Sequence, residues 1–182
     1  MRIKAILHYL GLIIAIIGVS MIIPLLWSLF LKESPAVSAF AISMALAIVI
    51  GMILWRFIKV KEKNISRREA VTLVAVGWIS ISLFGALPYT LCGAMPNFLD
   101  AFFEAVSGFT TTGATVFTNI DIQYKGLLIW RSLTQWLGGM GIIMLFVALL
   151  PLLGIGAARL AEAEWTGGKQ DERLTSRMRD TA

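Results

Sequence analysis

Four long apolar runs constrain the fold of this chain more than any other feature of its sequence. The runs cover residues 5–31, 37–58, 70–91 and 127–150. At about 1.5 Å per helical residue, a run of about 20 apolar residues crosses a hydrocarbon core about 30 Å thick. The sequence therefore predicts an all-α integral membrane protein with four transmembrane helices, and it excludes an ordinary soluble domain.

Proline and capping residues indicate where the predicted helices bend and begin. Pro24 lies inside the first run, where it should kink the helix because its ring clashes with the preceding turn. Ser66 and Glu69 stand three residues apart at the start of the third run, which is the spacing of a capping box. These signals predict a kinked first span and a well-defined start of the third.

Basic residues are distributed unevenly between the two sides of the predicted membrane protein. The N-terminus, the loop 56–69 and the tail 157–182 carry thirteen of the sixteen Lys and Arg residues, and the opposite side carries Lys32, Lys125 and Arg131. Cytoplasmic loops are enriched in Lys and Arg, so both termini are expected in the cytosol. The net charge of +5 is then a signal of topology and lipid contact, and no nucleic acid partner is expected.

The segment between the third and fourth runs contains a helix too short to cross the membrane. Residues 97–109 predict a helix with Asn97 as N-cap and Asp100 in the first turn, and Gly108 marks the region where it stops. Its roughly eleven residues reach about 16 Å, which is half of the hydrocarbon core. A half-length helix between two full spans predicts a re-entrant segment on the outer side.

A run of small, uncharged residues, 110–115, follows this half-helix. Irregular backbone at membrane depth is tolerated where it is buried in protein or lines a water-filled path. Inward-turned carbonyls replace the hydration shell of a potassium ion, and Gly113 permits the backbone angles that let successive carbonyls face one side. A plain exposed loop is the alternative interpretation, because Thr-Gly runs are common.

Several side chains near this loop allow two interpretations each. Asp100 and Glu104 lie one turn apart. They either brace the loop by hydrogen bonds or concentrate cations at its mouth, or else they pair with Arg131 or simply face water. Glu104 lies deeper, where a carboxylate needs a partner.

A glycine cluster at 138–141 fits either a hinge or close helix packing. Trp136 is expected in packing, whereas four tryptophans near span ends are interpreted as interfacial anchors: Trp27, Trp55, Trp130 and Trp165.

The string Asp-Ala-Phe-Phe-Glu-Ala-Val-Ser-Gly-Phe-Thr-Thr-Thr-Gly-Ala-Thr at 100–115 resembles the first pore loop of the Trk/Ktr/HKT potassium transporter superfamily, most closely its TrkH/TrkG membrane subunits. Three further stretches fit the same family: Ser-Arg-Arg-Glu at 66–69, Gln-Trp-Leu-Gly-Gly-Met-Gly at 135–141 and Leu-Pro-Leu-Leu-Gly-Ile-Gly at 150–156. The resemblance covers essentially the whole chain, including a leading hairpin ahead of the first repeat.

This resemblance implies a potassium filter made of backbone carbonyls. The expected potassium ligands are the carbonyls of Thr111, Thr112, Gly113 and Ala114, with K+ at the first three. The residues expected to support the filter are Thr110, Thr115, Asp100, Glu104 and Arg131. In this family, glycine at the Gly113 position accompanies potassium preference, and serine there accompanies sodium in some plant relatives.

The resemblance also implies how the chain is organised. It divides the chain into a leading transmembrane hairpin (1–63), a first helix–pore loop–helix repeat (64–156) and a cytosolic tail (157–182) that leads toward a missing second repeat. Family members arrange four such repeats around one pore. The chain is therefore expected to contribute one filter segment to potassium uptake, with the other repeats supplied by further copies or another chain. The alternative is a non-conducting fragment or a scaffold for intact subunits.

Location and partners follow from the same resemblance. It implies a bacterial inner membrane, with the lipid bilayer as surroundings, and a cytosolic nucleotide-binding subunit of the TrkA type as partner. The basic loop 56–69 is the candidate docking segment for that subunit. The sequence shows no nucleophile–base pair or metal-ligand cluster, so neither enzyme activity nor a cofactor is expected, and potassium is the transported ion.

Overall fold

The structure, a computed structural model, describes residues 2–58, 60 and 66–153. Helices form most of this part of the chain, in agreement with the predicted all-α class. Its helices are α1 (Ile3–Ser20), α2 (Ile22–Phe30), α3 (Ser34–Phe57), α4 (Arg67–Leu91), α5 (Phe98–Phe109) and α6 (Lys125–Leu153). Three described segments are long and apolar enough to cross a membrane: Ile3–Phe30, Ser34–Phe57 and Arg68–Leu91.

The chain divides into two compact units, Met1–Met140 and Gly141–Ala182. The first unit contains α1 to α5, the loop after α5 and the first part of α6. In the second unit, only the continuation of α6 to Leu153 is described. The predicted tail 157–182, which includes Trp165, lies outside the described residues.

The first predicted span consists of two helical segments, α1 and α2, separated at Met21. Pro24 follows one turn later, and because it has no backbone N–H it cannot bond to the Ser20 carbonyl four residues earlier. Met21 keeps near-helical angles (φ −67°, ψ −10°), and its carbonyl accepts a hydrogen bond from the Leu25 amide at 3.1 Å. The kink predicted at Pro24 is thus a short interruption of the helix.

Glycines bring α1 and α3 to backbone contact distance. A Cβ added to Gly11 would lie 2.6 Å from the carbonyl oxygen of Gly51, and a Cβ added to Gly51 would lie 2.6 Å from that of Gly11. Farther along α1, a Cβ on Gly18 would lie 3.0 Å from the Cβ of Ala47. Small residues allow close van der Waals packing, which stabilises helix pairs in membranes. The leading hairpin is therefore held together by direct contact between two backbones.

The capping box predicted at the start of α4 is confirmed. Ser66 Oγ accepts a hydrogen bond from the Glu69 amide at 3.3 Å, and Glu69 Oε2 accepts one from the Ser66 amide at 3.0 Å. The Glu69 carboxylate also accepts from the Arg2 amide at 2.6 Å and from its guanidinium at 3.2 Å. This carboxylate therefore connects the N-terminal segment to the start of α4.

The start of α6 is capped by a residue from the loop between α2 and α3. The Glu33 carboxylate accepts hydrogen bonds from the amides of Lys125 at 2.8 Å and Gly126 at 3.1 Å. A negative charge is favourable at a helix N-terminus, where the amides have no partner within the helix. Gly126 also leaves room for Ser28 of α2, because an added Cβ would collide with the Ser28 hydroxyl oxygen. The leading hairpin thus contacts the start of both α4 and α6.

Candidate functional site

Helix α5 sets the position of the threonine-glycine loop. It has twelve residues and begins at the predicted N-cap, where Asn97 Oδ1 accepts a hydrogen bond from the Leu99 amide at 3.1 Å. Ala101, Ala105 and Phe109, spaced four residues apart, are fully buried on one face. The helix is therefore fixed at its start by a cap and along its length by packing.

The end of α5 is a Schellman motif with a threonine at the left-handed position. Thr111 has φ +57°, its amide donates to the Gly108 carbonyl at 3.0 Å, and the Thr112 amide donates to the Ser107 carbonyl at 3.0 Å. This pattern satisfies the last carbonyls of a helix and usually employs glycine. Gly108, the predicted stop, instead lies inside α5, where an added Cβ would collide with the Thr134 hydroxyl oxygen.

The loop that follows faces away from the core of its own unit. All residues from 110 to 116 are exposed. Thr110 belongs to the helix end, because its hydroxyl donates to the Val106 carbonyl at 2.8 Å and lies 2.8 Å from the hydroxyl of Thr112. Gly113 has φ +76°, and no atom lies within 4 Å of an added Cβ. Glycine at this position therefore meets a requirement of the backbone and not a lack of space.

Glu104 is the buried centre of a polar network beneath the loop. Its side chain is 1% exposed, and its Oε1 accepts a hydrogen bond from Arg131 Nε at 2.5 Å. Its Oε2 accepts from the Thr115 hydroxyl at 3.0 Å and the Val116 amide at 3.1 Å. Glu104 thus pairs with the arginine and also braces the loop, so the two interpretations of this residue are compatible. Asp100, one turn earlier, takes no part in this network.

Two of the four carbonyls predicted to bind potassium accept hydrogen bonds from side chains of the chain itself. The Gly113 carbonyl accepts from Arg131 Nη2 at 3.3 Å, and the Ala114 carbonyl accepts from the Ser107 hydroxyl at 2.6 Å. Within the described residues, no hydrogen bond to the carbonyls of residues 111 and 112 is found. Because a carbonyl oxygen has two lone pairs, one hydrogen bond leaves capacity for a cation.

The two tryptophans near the loop have the opposite surroundings to those predicted. Trp130, predicted to be an interfacial anchor, is fully buried, and its indole N–H donates to the Gly85 carbonyl at 3.0 Å. Its ring packs edge-on against Phe109, with 6.3 Å between centroids. Trp136, predicted to be packed, is 61% exposed. Both predictions are wrong for the surroundings within this chain. The two positions, six residues apart on a helix, point in directions about 120° apart and therefore need not share one environment.

The glycine cluster of α6 serves close packing at Gly138, the second of the two interpretations. A Cβ added there would collide with the carbonyl oxygen of Phe109, the last residue of α5. At Gly139 an added Cβ would meet only Thr111 Cγ2, at 3.8 Å. The described helix α6 continues through these positions without interruption.

Comparison with protein families and curated proteins gives consistent matches. The family profile TrkH, described as a cation transport protein, matches residues 36–182. The Trk system potassium uptake protein TrkH of Halomonas elongata is 38% identical over 183 residues, and that of Escherichia coli K12 is 38% identical over 184 residues. The potassium uptake protein TrkG of E. coli K12 is 35% identical over 182 residues. These alignments cover 100% of this chain but only 37–38% of each relative.

A solved structure shows the same arrangement of helices. The crystal structure of the potassium transporter TrkH from Vibrio parahaemolyticus matches with a TM-score of 0.79 and 35% sequence identity. The match covers 91% of this chain and 36% of that chain. The resemblance inferred from the sequence motifs is therefore confirmed by whole-chain similarity and by structure.

Proposed function

The chain belongs to the TrkH family of cation transport proteins, and on this premise we propose that it contributes one filter segment to potassium uptake across a bacterial inner membrane. It spans 38% of the length of its TrkH relatives. We therefore assign to it a leading hairpin and one helix–pore loop–helix repeat, which function together with further repeats. The proposal needs no covalent step, and it includes no enzyme activity and no cofactor.

In the proposed topology, α6 forms a fourth span and α5 is a re-entrant half-helix. The twelve residues of α5 measure about 18 Å, roughly half of the hydrocarbon core, whereas the 29 residues of α6 measure about 44 Å. The excess of Lys and Arg near the termini and in the loop 56–69 favours cytosolic termini. The loop 110–116 then lies on the outer side, at the depth where α5 ends.

One observation carries the proposal: a buried carboxylate stabilises a loop that faces away from the protein core. Burying the charge of Glu104 costs several kcal/mol unless its hydrogen bonds are satisfied, here by Arg131, Thr115 and Val116. Irregular backbone at membrane depth requires a water-filled path or surrounding protein. An exposed, uncharged loop that is held by hydrogen bonds meets the requirement for offering carbonyls to a dehydrated cation.

We assign the ion ligands to the carbonyls of the loop. Potassium is bound by the carbonyls of residues 111–114, with K+ at the first three, and it moves down its electrochemical gradient. The negative C-terminal end of α5 favours a cation nearby. Four side chains support the filter from within the chain, Thr110, Thr115, Glu104 and Arg131, while Asp100 attracts cations to the mouth. A TrkA-type nucleotide-binding subunit is the proposed cytosolic partner, docking on the loop 56–69.

Uptake of rubidium, as a tracer for potassium, by uptake-deficient bacteria tests this function. Cells expressing the chain should take up rubidium and grow on low potassium, and Gly113→Ser should abolish growth. Gly93→Ser is the matched control, because Gly93 also has a positive φ (+79°) and open space around an added Cβ but lies before α5. The control should retain uptake. Absent uptake despite expression in the membrane would favour a non-conducting protein that associates with intact subunits.

A further inference from the structure

Gly138 of α6 lies directly against the end of α5. A Cβ built on Gly138 would collide with the carbonyl oxygen of Phe109, and it would lie 2.7 Å from the carbonyl carbon and 2.9 Å from the Cα. All three atoms belong to the backbone of the last residue of α5, so no side-chain rotation can make room. Any residue larger than glycine therefore requires α5 to move.

Phe109 is itself held on both sides and has little freedom to move. Its ring is fully buried and packs edge-on against Trp130 of α6. On the other side, a Cβ on Gly85 of α4 would lie 2.7 Å from a ring carbon. Because the Trp130 indole N–H also donates to the Gly85 carbonyl, the ring is enclosed between two helices.

The contact at Gly138 is adjacent to the loop that the proposed function uses. Thr111, two residues after Phe109, has the positive φ of the Schellman motif, and its amide is bound to a carbonyl of α5. The amide of Thr112 is bound in the same way. A shift of Phe109 would therefore be transmitted to the loop and not absorbed by a flexible connection.

The geometry points to Gly138 as a positioning residue for the loop 110–115. By lacking a side chain, Gly138 sets the depth at which α5 ends and hence the position of the loop carbonyls. A helix interior does not favour glycine, which costs about 1 kcal/mol relative to alanine, so the contact is the reason for glycine here. The inference rests on the proposed function. In transport, Gly138 is then a determinant of potassium selectivity, because it sets the position of the loop carbonyls.

Gly139 provides a matched control for the test. It lies in the same helix, and its added Cβ would make only an ordinary contact of 3.8 Å with Thr111 Cγ2. With the protein in lipid nanodiscs, hydrogen–deuterium exchange of amides 110–116 should become about tenfold faster or more in Gly138→Ala, because fewer native hydrogen bonds persist. The same amides should exchange at the wild-type rate in Gly139→Ala. Equal exchange in the two variants would overturn the inference.

A measurement on the unaltered chain covers the case in which Gly138→Ala does not fold. Solid-state NMR recoupling between a labelled Phe109 carbonyl carbon and the Gly138 Cα should give a short-range signal in lipid-reconstituted protein. The signal to a labelled Gly139 Cα should be weaker. Absence of the Gly138 signal would overturn the inference without any substitution.

The ratio of rubidium to sodium uptake separates positioning from a general loss of folded protein. At equal membrane expression, Gly138→Ala should lower this ratio and Gly139→Ala should not. A normal ratio in Gly138→Ala despite faster exchange would overturn the role in selectivity. If the wild-type chain shows no uptake but the exchange result holds, the proposed function fails and the Gly138 contact stands. If the wild-type chain takes up rubidium but exchange is unchanged in Gly138→Ala, the proposed function stands and the inference about Gly138 fails.

Discussion

The leading hairpin and the loop region both depend on glycine contacts, but the contacts fix different things. In the hairpin, Gly11 and Gly51 bring two regular helices together along their lengths. In the loop region, Gly138 holds the end of a short helix, and the Glu104 carboxylate holds the irregular segment that follows. Close packing alone is enough to pair helices, whereas fixing a loop also requires buried hydrogen bonds.

The exposed surfaces of the leading hairpin and of the loop region also differ in the kind of side chain they present. The hairpin exposes large aliphatic side chains along its outer faces, including Ile16, Ile23, Leu26, Val49 and Ile53. The loop region exposes a run of threonine, glycine and alanine at 110–115. Aliphatic faces suit contact with lipid chains, while an exposed, uncharged loop suits a water-filled path or surrounding protein. The difference fits the proposed function, in which the aliphatic faces contact lipid and the loop lines the path of the ion.

The largest effect is expected from removing the charge of Glu104, which tests whether the loop region depends on its buried hydrogen bonds. Glu104→Gln keeps the shape of the side chain but leaves the guanidinium of Arg131 without its buried counter-charge, which should cost about 3–5 kcal/mol. Thermal unfolding in nanodiscs should show a large loss of stability, with faster amide exchange at Val116. Asp100→Asn is the control, because Asp100 lies outside the network, and it should cost no more than about 1 kcal/mol, the value of a charge in the first turn of a helix. Equal losses in both variants would contradict a specific role for the network.

A second substitution loosens the hairpin and leaves the loop intact. Gly51→Ala places a methyl group within 2.6 Å of the Gly11 carbonyl oxygen, and overpacking of this kind costs about 1–3 kcal/mol. Thermal unfolding should report this loss, while amide exchange at 110–116 stays at the wild-type rate. Gly77→Ala is the control, since the nearest atom to its added Cβ lies 4.0 Å away. Faster loop exchange in Gly51→Ala would show that the two regions are not stabilised separately.

Local signals in the sequence predicted the parts of this fold that depend on neighbouring residues. The capping box of Ser66 and Glu69 and the N-cap at Asn97 could be predicted, because in each case donor and acceptor lie within three residues of each other. The length of α5 was predicted from the N-cap Asn97 and from a stop near Gly108, and the helix ends one residue later, at Phe109. The all-helical class followed from the apolar runs. The potassium ligands in the loop remain a prediction.

Apart from the pairing of Glu104 with Arg131, which was one of two interpretations, contacts between distant segments could not be predicted from the sequence. Arg2 and Glu69 are 67 residues apart, and Glu33 and Lys125 are 92 residues apart, so no spacing rule links them. The surroundings of Trp130 depend on which face of α6 packs inward, which an apolar run does not reveal. A left-handed Thr111 was also unforeseen, because glycine is the usual residue at that position of the motif.

The smallest effect is expected where the two regions meet, at the contact between Glu33 of the leading hairpin and the start of α6. It tests how much this contact contributes to the stability of the loop region. Glu33→Gln keeps one of the two acceptor oxygens at the start of α6, replaces the other by an NH2 group that cannot accept, and removes the charge that interacts with the helix dipole. Because this end is partly exposed to water, the loss should be about 1 kcal/mol. Thermal unfolding of this variant and the wild type, at low and high salt, should show a small difference that shrinks as salt screens the charge. Asp121→Asn serves as control, because it removes an exposed charge from the preceding loop. A loss larger than that of Glu104→Gln would mean that the junction, and not the buried network, supplies most of the stability of the loop region.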